Sequence, residues 1–561
     1  MKNDVLISKA YYKLLIPTML TNLVSSVGSF ADTIILGNMI GENALVAMTF
    51  NAPLFTIINT IAAIFAVGGT TLMGHYLGSG KKESSCKVFS LVISYVVFIG
   101  LLMTCLGLFF IDDIMYALGS RGEVFNYTKA YGIIIIAGIL VFLINVIFAF
   151  FIRMDGKPKL AMAGMLTSIA LNIILDLLFV GPLGMGVAGA SLALVLSQVV
   201  SIIIMSTHFF TASNTLKFKF YLSVKDLIKI FKTGIGTSTT FIYQSIALFV
   251  LNNVIFRLSG TIGMATYTVI YNVSLLSLTL FEGISQTIQP LVSFSYGEQN
   301  STDILIIIKK GLKTGIIFSF IVIAFLEIFP QALIVLFGIK DSSIITSSIY
   351  AIRIYAIGIV LMTINVIMSY YYQSTGKEKF AAIIVLSRNL VSLFIGVLLF
   401  GLLFELNGIW FGFVFAEILT FIMWIAIANY YRNKKACKSI FLIDATSELN
   451  LSVEMNNTNY NKDTKNIIKK YILGENLSTN LTNYIFSIID VSIRQLSRNN
   501  TLKIFINNKS DDLTVVISND GKVLNIDDKV SVPSTIRIDK YENSVFYGLN
   551  RTVINIKDDI A

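Results

Sequence analysis

Charge is what this sequence has least of. Only 14% of its 561 residues are Asp, Glu, Lys or Arg, while 55% are hydrophobic; an ordinary soluble domain carries about a quarter charged residues. Mean hydropathy is +0.76. This excludes a soluble enzyme and places the chain in a bilayer. Three cysteines (Cys86, Cys105, Cys437) and two histidines (His75, His208) are too few and too scattered for a disulfide framework, a zinc site or a haem pair. A phosphate-cradling loop is missing as well. Its nearest approach is Gly80-Lys81, but GxxxxGK[ST] needs a glycine where His75 stands and a hydroxyl where Lys82 stands. The amino-terminal stretch has no short apolar core ahead of a small-residue cleavage site, so it reads as a first span and not as a cleaved signal.

What the chain does have is apolar stretches long enough to cross a bilayer, about 20 residues each. Twelve are expected, at 11–36, 44–74, 88–111, 131–153, 159–180, 186–207, 233–258, 262–290, 311–337, 350–374, 380–404 and 408–430. The loops between them alternate. One set is basic, with Lys81, Lys82 and Lys87, Arg153, Lys157 and Lys159, the lysines from Lys217 to Lys232, Lys309, Lys310 and Lys313, Lys377 and Lys379, and Arg432 to Lys438. The other is neutral or acidic, with Glu42, Asp112, Asp113, Asp341 and Glu405. The net charge of +10 is therefore a topology signal, not a nucleic-acid footprint, and it puts both termini in the cytoplasm.

An internal repeat organises these spans. Shifted by about 220 residues, FIRMDGKPKLA (151–161) falls on YYQSTGKEKFA (371–381), and TTLMGHYLGSGKK (70–82) falls on QPLVSFSYGEQNS (289–301). Six spans per unit keep the same orientation, so the repeat is parallel. The expected fold class is an all-α polytopic membrane protein, with twelve transmembrane helices in two six-helix lobes and a small cytoplasmic α/β domain at the carboxy terminus. The boundaries are 1–216, 217–438 and 439–561. Two lobes around a shared cavity are a transporter's build. Without a phosphate loop, ion exchange is left to drive it.

An Asp at the centre of a membrane helix costs about 2.5–3.5 kcal/mol and persists where it faces protein or water. Asp32 lies late in the first span and Asp176 late in the fifth, with Asn172 one turn earlier on the same helical face. These oxygens suit Na⁺, and they equally suit a carboxyl dyad that takes a proton. By the 220-residue shift, the second lobe offers Asn252, Ser392 and Gly396 instead, so the cation site is expected in the first lobe. Glu282 is either an attractor of cationic substrates or a structural polar group. Tyr243, Gln244, Tyr271 and Gln286 are candidate cavity residues, with helix packing as the alternative. Arg353 and Arg388 read as helix anchors, and His75 as a solvated structural residue.

Residues 10–432 resemble the multidrug and toxic compound extrusion (MATE) family, in its MepA-like group. The resemblance rests on Pro17 and Asp32, LGSGKK after the second span, DGKPKLA before the fifth, NIILD within it, and GISQTIQPLVSFSYGEQN (283–300) ending the eighth. It implies antiport coupled to H⁺ or Na⁺, with Asp32, Asn172 and Asp176 as the cation-binding residues of the family's archaeal and DinF-like branch. A coordinating Thr of that branch is Leu194 here, a departure that favours protons unless Ser191 or Ser197 substitutes. The seventh-span Glu of the NorM branch is matched by Gln244. The expected partners are a small amphipathic, cationic molecule and membrane lipid, with no cofactor beyond the coupling ion and no nucleic acid. The expected location is the bacterial cytoplasmic (inner) membrane. A lipid-linked precursor flippase and a transporter-derived sensor are the alternatives.

After Lys438 the composition turns polar. Runs at 439–445, 501–507, 512–518 and 551–557 read as strands, and 466–473 and 481–496 as amphipathic helices. VVISNDGKVLN (515–525) and YGLNRTVINIK (547–557) resemble the ATP-binding domain of anti-sigma-factor kinases in the GHKL superfamily. The resemblance implies a degenerate site, since an Asn (Asn519) stands at the adenine-contacting position and both the Mg²⁺ box and the lid are missing. The tail is thus expected to regulate, or to dock a cytoplasmic protein partner, without ATP.

Overall fold

The computed structural model describes residues 5–40, 42–211, 214–218, 221–336, 342–435, 440–441, 449–456, 468–469, 479–496, 500–509, 512–521, 532, 536–546 and 549–558. The expected strand at 439–445 and helix at 466–473 lie almost wholly outside these residues, as do Lys219, Asp341 and Lys438.

In hydrocarbon every backbone group must be satisfied within the protein, which leaves helices as the solution for such apolar stretches. They are α1 (Val5–Met39), α2 (Glu42–Gly78), α3 (Lys82–Phe109), α4 (Ile111–Ala117), α5 (Glu123–Ala137), α6 (Ile139–Met154), α7 (Pro158–Val180) and α8 (Gly186–Ser206) in the first half. The second half holds α9 (Val224–Ser238), α10 (Thr240–Gly297), α11 (Ser301–Ile328), α12 (Pro330–Leu336), α13 (Ser342–Ser374), α14 (Glu378–Leu386) and α15 (Ser392–Lys435). Among the described residues nine helical stretches are long and apolar enough to cross a membrane, or ten if α5 and α6, bent by 50°, form one span.

Two expected boundaries move. The loop expected near Ser259 is helical, because Gly260 and Gly263 are absorbed into α10. Its 58 residues would extend about 87 Å at 1.5 Å per residue, more than one bilayer crossing. The last two expected spans join in α15 across a kink at Phe404 and Glu405, where Glu405 takes φ 51°.

The repeat is visible in the helix ends. Gly156 (φ 84°) and Gly376 (φ 69°) turn the chain out of α6 and α13, and the next amide reaches back five residues in each: Lys157 to Ile152 (3.0 Å) and Lys377 to Tyr372 (2.9 Å). The same closing bond ends α2, from Lys81 to Tyr76 (2.8 Å), and α10, from Asn300 to Ser295 (2.9 Å). These are left-handed helix stops, made by a glycine at the ends of α2, α6 and α13 and by Gln299 (φ 61°) at the end of α10. Two apolar cores follow, one for each half. α1 is shared between them, since Leu6, Tyr11 and Leu14 sit in the core of the second half and Leu36 in that of the first.

The tail forms β1 (Leu449–Asn456), α16 (Thr479–Arg494), β2 (Thr501–Lys509), β3 (Asp512–Asn519), β4 (Ile536–Phe546) and β5 (Leu549–Asp558). The sheet order is β1-β2-β3-β5-β4, antiparallel throughout. Ile485, Ile488 and Ile489 of α16 pack on Leu502, Ile504, Val515, Ile517 and Ile554, the residues on one face of the pleat. The strands at 501–507, 512–518 and 551–557 and the helix at 481–496 match expectation. Strands β1 and β4 were not expected.

Candidate functional site

Helix periodicity brings the first-lobe candidates together. On α7, Asn172 and Asp176 are both buried, and the Asn172 Nδ2 donates to Asp176 Oδ2 at 2.7 Å. The Asp32 carboxyl, from α1, lies within electrostatic reach of Asp176. Tyr131 of α5 is buried beside both. Ionised carboxylates only accept hydrogen bonds and repel one another, so a proton or a cation between two of them relieves the conflict. The remaining oxygens, Asp32 Oδ1 and Asp176 Oδ1, are buried with no hydrogen-bond partner. The arrangement has the oxygen chemistry to hold a proton or a small cation.

Both serines near Leu194 spend their hydroxyl protons on local carbonyls. Ser191 Oγ donates to the Ala188 carbonyl (3.1 Å) and Ser197 Oγ to that of Leu194 (2.8 Å). The second lobe has no room for the same site. A Cβ on Gly396 would lie 2.5 Å from the Gly412 carbonyl oxygen, and the Ser392 hydroxyl is held by Ser387 (2.7 Å) and Thr420 (3.2 Å).

Four of the five candidate cavity residues divide between two places. Gln244 and Tyr271 line a cavity of about 110 Å³ in the second half, together with Tyr355, Asn389, Arg388 and Glu417. There the Arg388 Nε donates to Glu417 Oε1 at 2.7 Å, and Asn365 donates to the other carboxylate oxygen at 2.8 Å. Arg388 lies in a single π-turn, Ser387–Val391, a helix irregularity frequent at functional sites. It is an anchor, as expected, but one that borders the cavity. Tyr243 is half-buried and is not among the lining residues. Gln286 lies at the junction of the halves, accepting from Arg153 Nη1 at 3.1 Å. Glu282 is nearby, within electrostatic reach of Tyr370 and Arg388.

The comparison with known proteins decides the family. The MatE family model matches residues 17–178 and, at an offset of 220 residues, 237–398. The chain belongs to the MATE family. Multidrug export protein MepA of Staphylococcus saprophyticus is 23% identical over 422 residues, covering 75% of this chain and 93% of that protein. MepA of Staphylococcus haemolyticus is 24% identical over 441 residues, covering 78% and 97%. A crystal structure of a MATE protein in complex with MaL6 superposes with a TM-score of 0.72 at 25% identity, over 76% of this chain and 97% of that one. The chain is thus a polytopic transport protein and not an enzyme. The GHKL likeness of the tail finds no support in these comparisons.

In this MATE chain the two halves pack backbone to backbone at the face where the amino terminus and the tail lie. α2 and α10 touch through small residues, as membrane helices do where backbones approach. A Cβ on Gly78 would lie 2.0 Å from the Phe294 carbonyl oxygen, and one on Gly297 would lie 2.2 Å from that of His75. Gln289 Nε2 reaches across to the Val67 carbonyl (3.2 Å), Thr70 (3.1 Å) and Thr71 (3.0 Å). His75 is structural but not simply solvated. Its Nε2 contacts the Ser374 carbonyl at 2.7 Å, and its ring lies against Tyr296.

Proposed function

We propose that this chain is a proton-coupled antiporter of the bacterial cytoplasmic membrane that exports small amphipathic, cationic molecules by alternating access. The observation that carries the reading is the approach of Asp32 to Asp176, two carboxyl groups each with a buried, unpartnered oxygen and with no counterpart in the second lobe. Leu194 favours H⁺ over Na⁺, because it withholds an oxygen ligand. Kinship with multidrug export proteins supports the substrate class.

Twelve spans are assembled as follows. The ten stretches counted above gain α1 as an eleventh, and the kink at Phe404 and Glu405 divides the last long stretch into two. The tail and the basic loops then share the cytoplasmic face. In the cycle, protonation of Asp32 and Asp176 from outside removes negative charge from the first lobe, which weakens its hold on a cation and alters the packing of α1 on α7. Exchange of one proton for one monovalent cation moves no net charge, so the pH gradient alone drives it, at about 1.4 kcal/mol per unit. The tail acts by docking and needs no nucleotide. The Asn519 side-chain oxygen already accepts from the Gly521 amide at 2.8 Å, which leaves it engaged locally.

A lipid-linked precursor flippase would call for unpaired basic groups in its cavity, whereas Arg388 is neutralised by Glu417. Ethidium efflux from everted vesicles tests the proposal. Collapse of the pH gradient should stop efflux, and collapse of a Na⁺ gradient should leave it unchanged. Efflux that follows Na⁺ alone would refute proton coupling.

A further inference from the structure

The tail sheet has two faces. One packs on α16, and the other carries the cross-strand row Glu454–Lys503–Ser518–Arg551, contributed by β1, β2, β3 and β5 in register. Charges in such a row normally face water. Here Glu454, Lys503 and Arg551 are each at most 6% exposed, and each meets the end of a membrane helix.

Glu454 accepts from the Val5 and Leu6 amides (3.0 and 2.7 Å), a carboxylate against the amino-terminal turn of α1. Lys503 pairs with Asp303 in the first turn of α11. Arg551 bridges two helices at once. Its Nη2 donates to the carbonyl of Gly78, the last residue of α2, at 3.0 Å, and its Nε donates to Glu298, which caps α10, at 2.6 Å. Its guanidinium also lies 5.1 Å from the centre of the Phe294 ring. At α1, α2 and α10 the signs suit the helix dipoles, an anion at an amino-terminal end and a cation at two carboxy-terminal ends, while at α11 Lys503 meets the amino-terminal turn through the Asp303 carboxylate. Burial pushes the Glu298 carboxyl above its ordinary range, and Arg551 opposes that shift. The linker is fastened too, by the Tyr371 and Tyr372 hydroxyls donating to the Phe441 and Ile440 carbonyls at 2.9 Å.

Gly78 belongs to the first lobe and Glu298 to the second, and both sit at the end of the Gly78/Gly297 seam. We propose that the carboxy-terminal sheet is a latch that holds the two lobes shut at this face, with Arg551 as the positioning residue that spans the seam. The lobes cannot part here until Arg551 releases either the Gly78 carbonyl or Glu298. Release of the tail is therefore required before this side of the transporter opens. The inference rests on alternating access at this face, but not on which ion drives it.

The test is seam accessibility in the full-length protein in lipid nanodiscs. Cys86, Cys105 and Cys437 are replaced by Ser, and Ser293, buried against Gly74, is replaced by Cys as the reporter. Labelling by a polar maleimide should be slow in this parent. It should be at least about tenfold faster with Arg551→Ala or Glu298→Gln, since breaking a buried ion pair is worth that much or more. Lys9→Ala removes an ion pair with Asp520 in which the lysine is largely exposed, and should change the rate by less than about twofold. Unchanged labelling in both Arg551→Ala and Glu298→Gln would overturn the latch. If Arg551→Ala does not reach the membrane, Glu298→Gln, which leaves the tail intact, decides the matter alone. Loss of efflux with normal labelling in Asp176→Asn would concern ion coupling and leave the latch standing.

Discussion

The two lobes end their helices in the same way and fill their interiors differently. At the 220-residue offset, Gly156 and Gly376 make the same turn, and Lys157 and Lys377 close it with the same long-range amide bond. Inside, Asp176 is answered by Gly396, whose α-carbon faces the Gly412 backbone. The first lobe keeps a pair of buried carboxyl groups, whereas the second keeps a fixed guanidinium, Arg388, already neutralised by Glu417. Helix stops thus recur in both halves, while a few interior positions set the two lobes apart.

The largest way to break this asymmetry is to neutralise the pair. Asp32→Asn and Asp176→Asn should each reduce gradient-driven ethidium efflux to the passive leak, with normal expression. Wild-type efflux in either would shift attention to Glu282. Next, Gly396→Asp should not rescue Asp176→Asn. It should instead destabilise the protein by about 3 kcal/mol or more, because a buried carboxyl would be forced against backbone; thermal unfolding in detergent, read by size-exclusion chromatography, measures this. Glu417→Gln should cost less, about 1–3 kcal/mol, because Arg388 keeps a neutral acceptor. Its efflux should retain the pH dependence of the wild type, since the coupling carboxyls lie in the other lobe. The smallest effect is expected from Leu194→Thr. A restored oxygen ligand should add a few-fold Na⁺ stimulation to an otherwise proton-driven efflux, seen by adding Na⁺ at constant pH.

Much of this was legible in the chain. Asn172 and Asp176 are four residues apart on one helix, so their shared face follows from helix geometry, and the 220-residue offset shows which lobe lacks them. Other features depend on packing. Gly260 and Gly263 look like loop markers, yet α10 passes through them. β4 was missed because IRIDKYENSVF mixes charges into its alternation as a loop does, and β1, although LNLSVEMN alternates regularly, because it stands alone in a long polar stretch. Lys503 and Arg551 alternate with apolar neighbours as solvent-facing residues would. Only the docking of the sheet onto α1, α2, α10 and α11 turns that face inward, and a strand's own pattern does not say what covers it.

The central claim is that the first-lobe carboxyl pair holds the proton exchanged for substrate, and binding-linked proton release tests it most directly. Tetraphenylphosphonium is titrated into purified protein in weakly buffered detergent while the pH is recorded. The wild type should release about one proton for each cation bound, the exchange expected of a carboxyl pair that cannot hold both charges. Asp32→Asn and Asp176→Asn should release few or none. Cation binding without proton release in the wild type, or undiminished release from both variants, would contradict the account.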